Sequence, residues 1–238
     1  MNLAVFYILS GEGYIDQARR SAMSLDAHMP DVQRLLFTPD QKVDPGEAFH
    51  HVYALPARQH DFWFLDCTCY LSMALQSMAA MGYNSLVYLD SDTLVVEPFY
   101  DLFGLLDTFD LVAAHAPGRV TCPTVWPIPD CFPELNIGVI GLWNQPPLRR
   151  FVDTWVNQYC AHNKVYGNND QGSLRETLYN YRVETFRFYV MPPEYNCRPL
   201  GTGVFLKGKA RIIHSNSPRI QEMAESINRE TGMRIWKP

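Results

Sequence analysis

Two aspartates, Asp90 and Asp92, stand one residue apart inside the apolar run LVYLDSDTLVV, residues 86–96. Carboxylates are costly to bury unless something compensates their charge. One compensation is a turn, in which Asp and Ser side chains bond to nearby backbone between two strands. The other is a metal. In an extended chain alternate side chains share a face, so the two carboxylates would project together and repel unless a proton or cation lies between them. Hard divalent ions such as Mn²⁺ or Mg²⁺ take oxygen ligands of this kind. Taken alone, the segment leaves both readings open.

The elements around the pair are readable from periodicity. Leu3–Leu9 is a buried-strand run, and Ile15, Ala18, Ala22, Leu25 and Met29 then recur at helical spacing. Arg34–Phe37 and His51–Ala54 read as short strands. Asp61–Met81 reads as a long apolar helix stopped by Gly82, and Leu86–Leu89 as the strand that delivers the aspartates. Asp110–Ala114 and Leu135–Leu142 are further strands. Residues 117–133 hold Pro117, Pro123, Pro127, Pro129 and Pro133 and form a long loop. Leu148, Phe151, Val152, Trp155, Val156 and Tyr159 mark an amphipathic helix. NNDQGSLRETLY, 168–179, reads as a capped helix start, followed by strands near 183–190 and 203–213 and a helical tail. The alternation predicts a single α/β domain with a mostly parallel, Rossmann-like sheet flanked by helices. Its halves would be 1–96, ending in Asp-x-Asp, and 97–238. In such sheets ligands bind beyond the carboxyl ends of strands, which is where Asp90 and Asp92 lie. That position favours the metal.

Composition narrows the function classes. At 238 residues, 47% apolar and 13% aromatic, the chain can fill a core. A net charge of −5 without a basic cluster argues against a nucleic-acid partner. No run approaches the ~20 apolar residues that span a bilayer. Asn2–Leu9 is apolar but lacks the basic lead-in of a signal peptide. The six cysteines form no Cys-x-x-Cys pair, so reduced thiols and a cytoplasmic location are expected. Cys67 and Cys69 are too close and too isolated to read as a zinc site.

Five segments together resemble a known family. YLDSDTLVV resembles the Asp-x-Asp motif of GT-A-fold, nucleotide-sugar-dependent glycosyltransferases. LNIGVIGL (135–142) is similar to their Asn-x-Gly strand, and NNDQGSL to their Asp-Gln segment. MPPEYNCRP (191–199) resembles a Pro-x-x-x-Asn strand start, and RIIHSN (211–216) the late strand ending in a metal-binding His. The nearest pattern is the retaining family that contains glycogenin and bacterial galactosyltransferases.

That resemblance implies transfer of a hexose from a nucleotide-diphosphate sugar, a UDP-sugar foremost, to a glycan, lipid-linked or protein hydroxyl. It implies Mn²⁺ or Mg²⁺ on Asp90, Asp92 and His214, since a Lewis acid neutralises a departing diphosphate. It places Ser10, Gly11, Tyr14, Asp90 and Ser91 at the nucleotide. Asn136, Gly138 and Asn196 fall at the donor sugar, with Gly138 leaving backbone open to close approach. Asp170 would bond sugar hydroxyls, and Gln171 would lie near the anomeric carbon. Asp170 at a helix start also suits capping alone. Lys207, Lys209 and Arg219 are the cations nearest the late motif, and one of them would hold the diphosphate. Trp126 in the proline-rich loop is a candidate for shaping the acceptor site.

The chain departs from the family in two places. Ser217 and Ile220 replace the Gly and Lys of the family's His-x-x-Gly-x-x-Lys-Pro-Trp ending. The helix 61–81 carries no Arg or Lys where a donor-binding cation often stands. Two other readings compete: a haloacid dehalogenase-type phosphatase or phosphotransferase using Asp90, and a non-catalytic nucleotide-sugar-binding module. The phosphatase motif wants Thr two residues after its second Asp, where this chain has Leu94.

Overall fold

The computed structural model describes residues 3–40, 43–118, 122–199 and 203–238; Asn2 and residues 119–121 of the proline-rich loop lie outside the described residues. The chain begins with strand β1 (Leu3–Ile8), helix α1 (Glu12–His28), and strands β2 (Gln33–Thr38) and β3 (His51–Ala54). Helix α2 (Trp63–Ala80) leads to β4 (Ser85–Leu89), and β5 (Thr93–Val95) follows three residues later. Then come α3 (Tyr100–Leu105), β6 (Leu111–His115), β7 (Leu135–Trp143), α4 (Pro146–Ala161), α5 (Asn163–Tyr166) and α6 (Asp170–Asn180). The last elements are β8 (Phe188–Met191), β9 (Val204–Leu206), β10 (Ile212–His214), α7 (Ile220–Ile227) and β11 (Arg234–Trp236).

Seven strands form one sheet in the order β3-β2-β1-β4-β7-β6-β8. Only β7 runs against its neighbours, pairing antiparallel with both β4 and β6. The expected mostly parallel α/β architecture is therefore the one observed. Both sheet faces are covered, which is why β1 and β4 read as nearly continuous apolar runs rather than alternating ones. One core layer packs α1 and α3 against the sheet through Ile15, Leu25, Leu102 and Phe103. The other packs α2, α4 and α6 through Leu71, Phe151, Trp155 and Leu174.

Differences from the sequence reading cluster at the C-terminal end. The strand expected over 183–190 starts only at Phe188. The span 203–213 is two short strands: β9 pairs with β11, and β10 pairs with β5. The expected helical tail is one short helix, α7, followed by strand β11. Three-residue strands carry too little periodicity to be distinguished from loop. They exist because a partner far along the chain completes their hydrogen bonds.

Candidate functional site

Each residue of the site is delivered by a strand pairing. β4 ends at Leu89, and the chain turns through Ser91 and Asp92 into β5. The backbone here is a turn, not the extended ribbon that the shared-face argument assumed. Thr93 donates from both its N–H (3.3 Å) and its Oγ1 (2.8 Å) to the Asp90 carbonyl. Because Thr93 Oγ1 spends its hydrogen there, it accepts from Ser21 at 2.8 Å, and Ser21 in turn accepts from Tyr7 at 3.0 Å. This buried chain of hydroxyls fastens the turn to β1 and α1. A turn and a metal site are thus compatible: the turn brings both carboxylates to His214.

His214 arrives from β10, whose antiparallel pairing sets it opposite Thr93. Its Nε2 lies 3.2 Å from Asp92 Oδ1 and 3.5 Å from Asp90 Oδ2. Asp90 Oδ1 accepts from the buried Tyr88 hydroxyl at 2.7 Å. The tautomer of His214 follows from a chain of donors. The Gly138 N–H must donate, and it reaches Asn136 Oδ1 at 3.2 Å. The same oxygen accepts from Asn196 Nδ2 at 2.8 Å, so Asn196 turns its Oδ1 toward His214 Nδ1, 3.0 Å away. Nδ1 therefore carries the hydrogen. Nε2 is left facing two carboxylates, an arrangement in which a ring proton, a carboxyl proton or a cation lies between them. The ligand atoms of Asp90, Asp92 and His214 lie within 4.8 Å of one another. One imidazole and two carboxylates suit Mn²⁺ or Mg²⁺, with the non-ligating ring nitrogen held by a neighbour.

The two carboxylates respond differently to this setting. Burial pushes Asp90 above the usual range, with His214 opposing and Asp92 reinforcing. Burial also works to raise Asp92, but the hydrogen bond and charge of His214 pull it below its ordinary value. Such a split is what two coupled carboxylates sharing one site produce.

Gly138 has a role that sequence reasoning assigned to a sugar. A Cβ on it would stand 2.0 Å from His214 Cε1 and 2.8 Å from Asp90 Oδ2. The space it leaves is filled by the imidazole ring. Pairing of β7 with β4 sets Gly138 beside this turn, and its carbonyl accepts the Asp90 N–H at 2.9 Å.

A cavity of about 760 Å³ opens over this cluster. Asp90, Ser91, Asp92, Asn136, Gly138, Asp170, Gln171 and His214 line it, as do Ser10 and Tyr14. Asn196 stands behind the wall, holding His214. Gly11 does not line the cavity. It opens α1 with φ 97, a left-handed backbone that favours glycine. Its N–H and the Ser10 hydroxyl both bond Asp40, at 2.6 and 2.8 Å. Tyr14 is 60% exposed at the cavity's edge. Ser91 donates to Gln17 at 3.1 Å, and Gln17 is a wall residue the sequence reading did not include.

At the start of α6 the cap is Asn169, whose side chain accepts from the N–H groups of Gln171 (3.0 Å) and Gly172 (3.4 Å). Asp170, the first residue of α6, lines the cavity. Burial, then the charge of Asp90, push its carboxyl up to about 7. Gln171 Oε1 accepts from Asn136 Nδ2 at 3.3 Å, which joins α6 to the His214 network. Gly172 lets α6 approach the proline-rich loop, since a Cβ there would meet the Pro123 carbonyl at 2.3 Å. That loop is pinned by α6: Arg175 donates to Pro129 and Phe132 carbonyls at 2.8 and 3.2 Å, and Glu176 accepts from Val125 N at 2.6 Å. Trp126, 61% exposed, is not on the cavity wall.

The cations proposed for a diphosphate are misplaced. Lys209 pairs with Glu97 at 2.6 Å and Arg219 with Glu222 at 2.8 Å, and neither these nor Lys207 lines the cavity. β10 runs toward the cavity and ends there at His214. Residues 207 and 209 precede it and so fall at its far end, while Arg219 opens α7 on the outside. The cation that does line the site is Arg198, two residues after Asn196. Its charge lowers the pKa of Asp90, Asp92 and Asp170 alike, and among the described residues it makes no hydrogen bond or close ion pair. The signal was its position inside MPPEYNCRP. A second cation, Arg58, lines the wall ahead of α2, bonded to Asp66 at 3.2 Å and lying 5.4 Å from the Trp63 ring centre.

No known family's sequence profile matches the chain, and no curated protein matches it in sequence. Solved structures do match in fold. The galactosyltransferase LgtC, solved in complex with donor and acceptor sugar analogues, is 15% identical with a TM-score of 0.63, over 94% of this chain and 96% of that one. The glycosyltransferase GlyE of Streptococcus pneumoniae TIGR4 is 16% identical with a TM-score of 0.64, over 98% of this chain and 58% of that one. The chain has the GT-A fold of these enzymes.

Proposed function

We propose that the protein is a metal-dependent glycosyltransferase that moves a hexose from a nucleotide-diphosphate sugar, a UDP-sugar foremost, to an acceptor hydroxyl with retention. The observation that carries this is His214 Nε2 aimed at both Asp90 and Asp92, its tautomer set by the Asn136–Asn196 chain. Asp90, Asp92 and His214 would hold Mn²⁺ or Mg²⁺. The ion, when bound, neutralises the charge that develops on the departing diphosphate. Arg198 adds a donor fork to the same phosphates. Ser10, Tyr14 and Ser91 border the part of the cavity left for the nucleoside. Asp170 and Gln171 border the part left for the sugar, with Asn136 holding Gln171 in place. The likeness in fold to LgtC supports the same reading.

Retention rests on where the carboxylates stand. The carboxylates lining the cavity among the described residues are Asp90, Asp92 and Asp170. An inverting enzyme needs a base across the sugar from the leaving phosphate. Asp170, the one of these carboxylates outside the Asp90–Asp92–His214 cluster, is raised by the charge of Asp90, and from that nearness we infer that it stands on the metal side of the sugar. In a retaining reaction the leaving phosphate itself takes the acceptor proton, and no such base is required. A phosphatase reading would need Asp90 free to attack, whereas its oxygens meet Tyr88 and His214. Incubation with a panel of UDP-hexoses, following UDP release and then the product anomer by NMR, tests the proposal. Release from at least one donor with net retention is expected. Net inversion contradicts retention, and no release from any donor contradicts transferase activity.

Two variants probe the wall. Arg198→Ala is expected to raise the donor KM about 10- to 100-fold, the worth of one charge-assisted contact of ~1.5–3 kcal/mol. Arg219→Ala should leave it unchanged, and equal effects would remove Arg198 from the phosphate site. Asp170→Asn addresses pH. A carboxyl raised from 3.8 to about 7 favours the folded state below pH 3.8, and that advantage is lost as pH rises toward 7. The metal-free Asn variant should therefore melt higher than wild type above pH 7 and similarly near pH 4. The full shift corresponds to ~4 kcal/mol. The carboxyl faces an open cavity, so we expect on the order of 1 kcal/mol. A lower melting point at pH 8 would show that Asp170 is a structural group rather than a strained one.

A further inference from the structure

The fold brings together three residues that sequence spacing keeps apart: His60, Cys69 and Cys160. Their ligand atoms lie within 4.8 Å of one another. Cys69 is on α2, Cys160 is in the last turn of α4, and His60 sits in the segment between β3 and α2. We propose that these three side chains form a second metal site, selective for a soft ion of the zinc class, that stitches the segment ahead of α2 to α4.

The second shell is already arranged for this. His60 Nδ1 lies 2.8 Å from Asp66 Oδ1, and Asp66 is buried. With Nδ1–H given to the carboxylate, Nε2 keeps its lone pair, and the carboxylate fixes the ring's orientation, as is usual for a ligating histidine. Asp66 also accepts from the backbone N–H groups of Gln59 (3.1 Å) and His60 (3.2 Å) and from Arg58 Nε (3.2 Å). One carboxylate thus gathers the whole approach segment. Cys69 packs beside Leu65, Tyr159 and Tyr166, so its thiol has an apolar backing and an open side toward Cys160. Burial, then Cys160, push the Cys69 thiol up to about 12.

The charges balance without a further reactant. A divalent ion replaces two thiol protons, which leave to solvent, and with neutral His60 the loaded site carries no net charge. Zn–S bonds of ~2.3 Å put tetrahedral sulfurs ~3.8 Å apart. Ligand atoms gathered within 4.8 Å of one another are near enough for side-chain rotation to reach that spacing. Three protein donors leave the fourth position to water at the exposed Cys160 side. Ligand softness separates this site from the carboxylate cluster: thiolates select zinc-class ions, carboxylates select Mn²⁺ or Mg²⁺. Arg58 of the stitched segment and Trp63 at the start of α2 line the large cavity, so loading would stiffen that wall.

The test is titration of the reduced, metal-stripped full chain with Co²⁺ and then Zn²⁺. One equivalent of Co²⁺ should produce a thiolate-to-cobalt charge-transfer band with tetrahedral visible bands, and Zn²⁺ should abolish both. Cys69→Ser and Cys160→Ser should each lose the band, while Asp92→Ala should keep it. Cys160 is exposed, so Cys160→Ser should leave the metal-free melting point unchanged, and loss of fold cannot mimic loss of the site. No charge-transfer band, a band that survives both cysteine variants, or a band lost in Asp92→Ala would each overturn the proposal.

Discussion

Asp92→Ala is expected to lower the transfer rate at least ~10³-fold and to uncouple nucleotide binding from Mn²⁺. Asp92 supplies one carboxylate of the cluster and is the nearer partner of His214 Nε2, at 3.2 Å. Its loss leaves Asp90 as the sole carboxylate opposite the imidazole, a set too small to neutralise a diphosphate. Lewis-acid stabilisation of a departing phosphate is worth several kcal/mol, and each ~1.4 kcal/mol is tenfold in rate. The fold should survive, because the turn is fastened by Thr93, Ser21 and Tyr7 rather than by the Asp92 side chain. Initial rates of UDP release at saturating Mn²⁺, with the melting point as a control for folding, measure this. A variant within ~10-fold of wild type would mean that Asp92 is not a ligand.

Gly138→Ala is the second large effect, and it separates two accounts of that glycine. If Gly138 made room for a sugar, the alanine variant would fold and bind Mn²⁺ normally and lose only donor affinity. The structure gives another expectation, because the new Cβ would lie 2.0 Å from His214 Cε1 and 2.4 Å from its Nδ1. Those atoms belong to a buried ring held by Asn196, so it cannot simply swing aside. β7 is itself held between β4 and β6, so the backbone has little freedom to retreat. Overpacking of this kind costs ~1–3 kcal/mol, and displacing His214 should weaken Mn²⁺ binding ~10- to 100-fold. Mn²⁺ titration by water-proton relaxation, alongside thermal melting, reads both. Unchanged Mn²⁺ affinity would return Gly138 to the donor sugar.

These two residues also mark the limit of what the linear sequence discloses. Asp90 was legible because it follows an apolar run and so stands at a strand end, Asp92 because it shares the Asp-x-Asp with it, and His214 through the family resemblance. Strand ends are where an α/β sheet places ligands. The seven-stranded sheet was legible for the same reason: buried strands and amphipathic helices of ordinary length carry strong periodicity. Gly138 was read as a close approach, toward a donor sugar, and the atoms that its missing side chain leaves room for are those of His214 and Asp90. Naming His214 requires knowing that β4 pairs with β7 and β5 with β10. Lys207, Lys209 and Arg219 were chosen by nearness in sequence to His214, and the direction of β10 sends them away from the cavity. Arg198 lay in plain view two residues from Asn196, yet nothing local says which side of Cys197 faces the site. β5, β9, β10 and β11, three residues each, have no periodicity of their own. Cys69 and Cys160 meet only because α2 packs on α4, a contact that no spacing rule contains.

The most direct test of the central claim is thermal melting of the wild-type chain with UDP alone, with Mn²⁺ alone, and with both. A ligand that binds only the folded state raises the melting point. A metal–diphosphate site built from Asp90, Asp92 and His214 predicts a rise with UDP only when Mn²⁺ is present, abolished by a chelator. An equal rise with UDP in the presence of chelator, or no rise at saturating UDP and Mn²⁺, would contradict it.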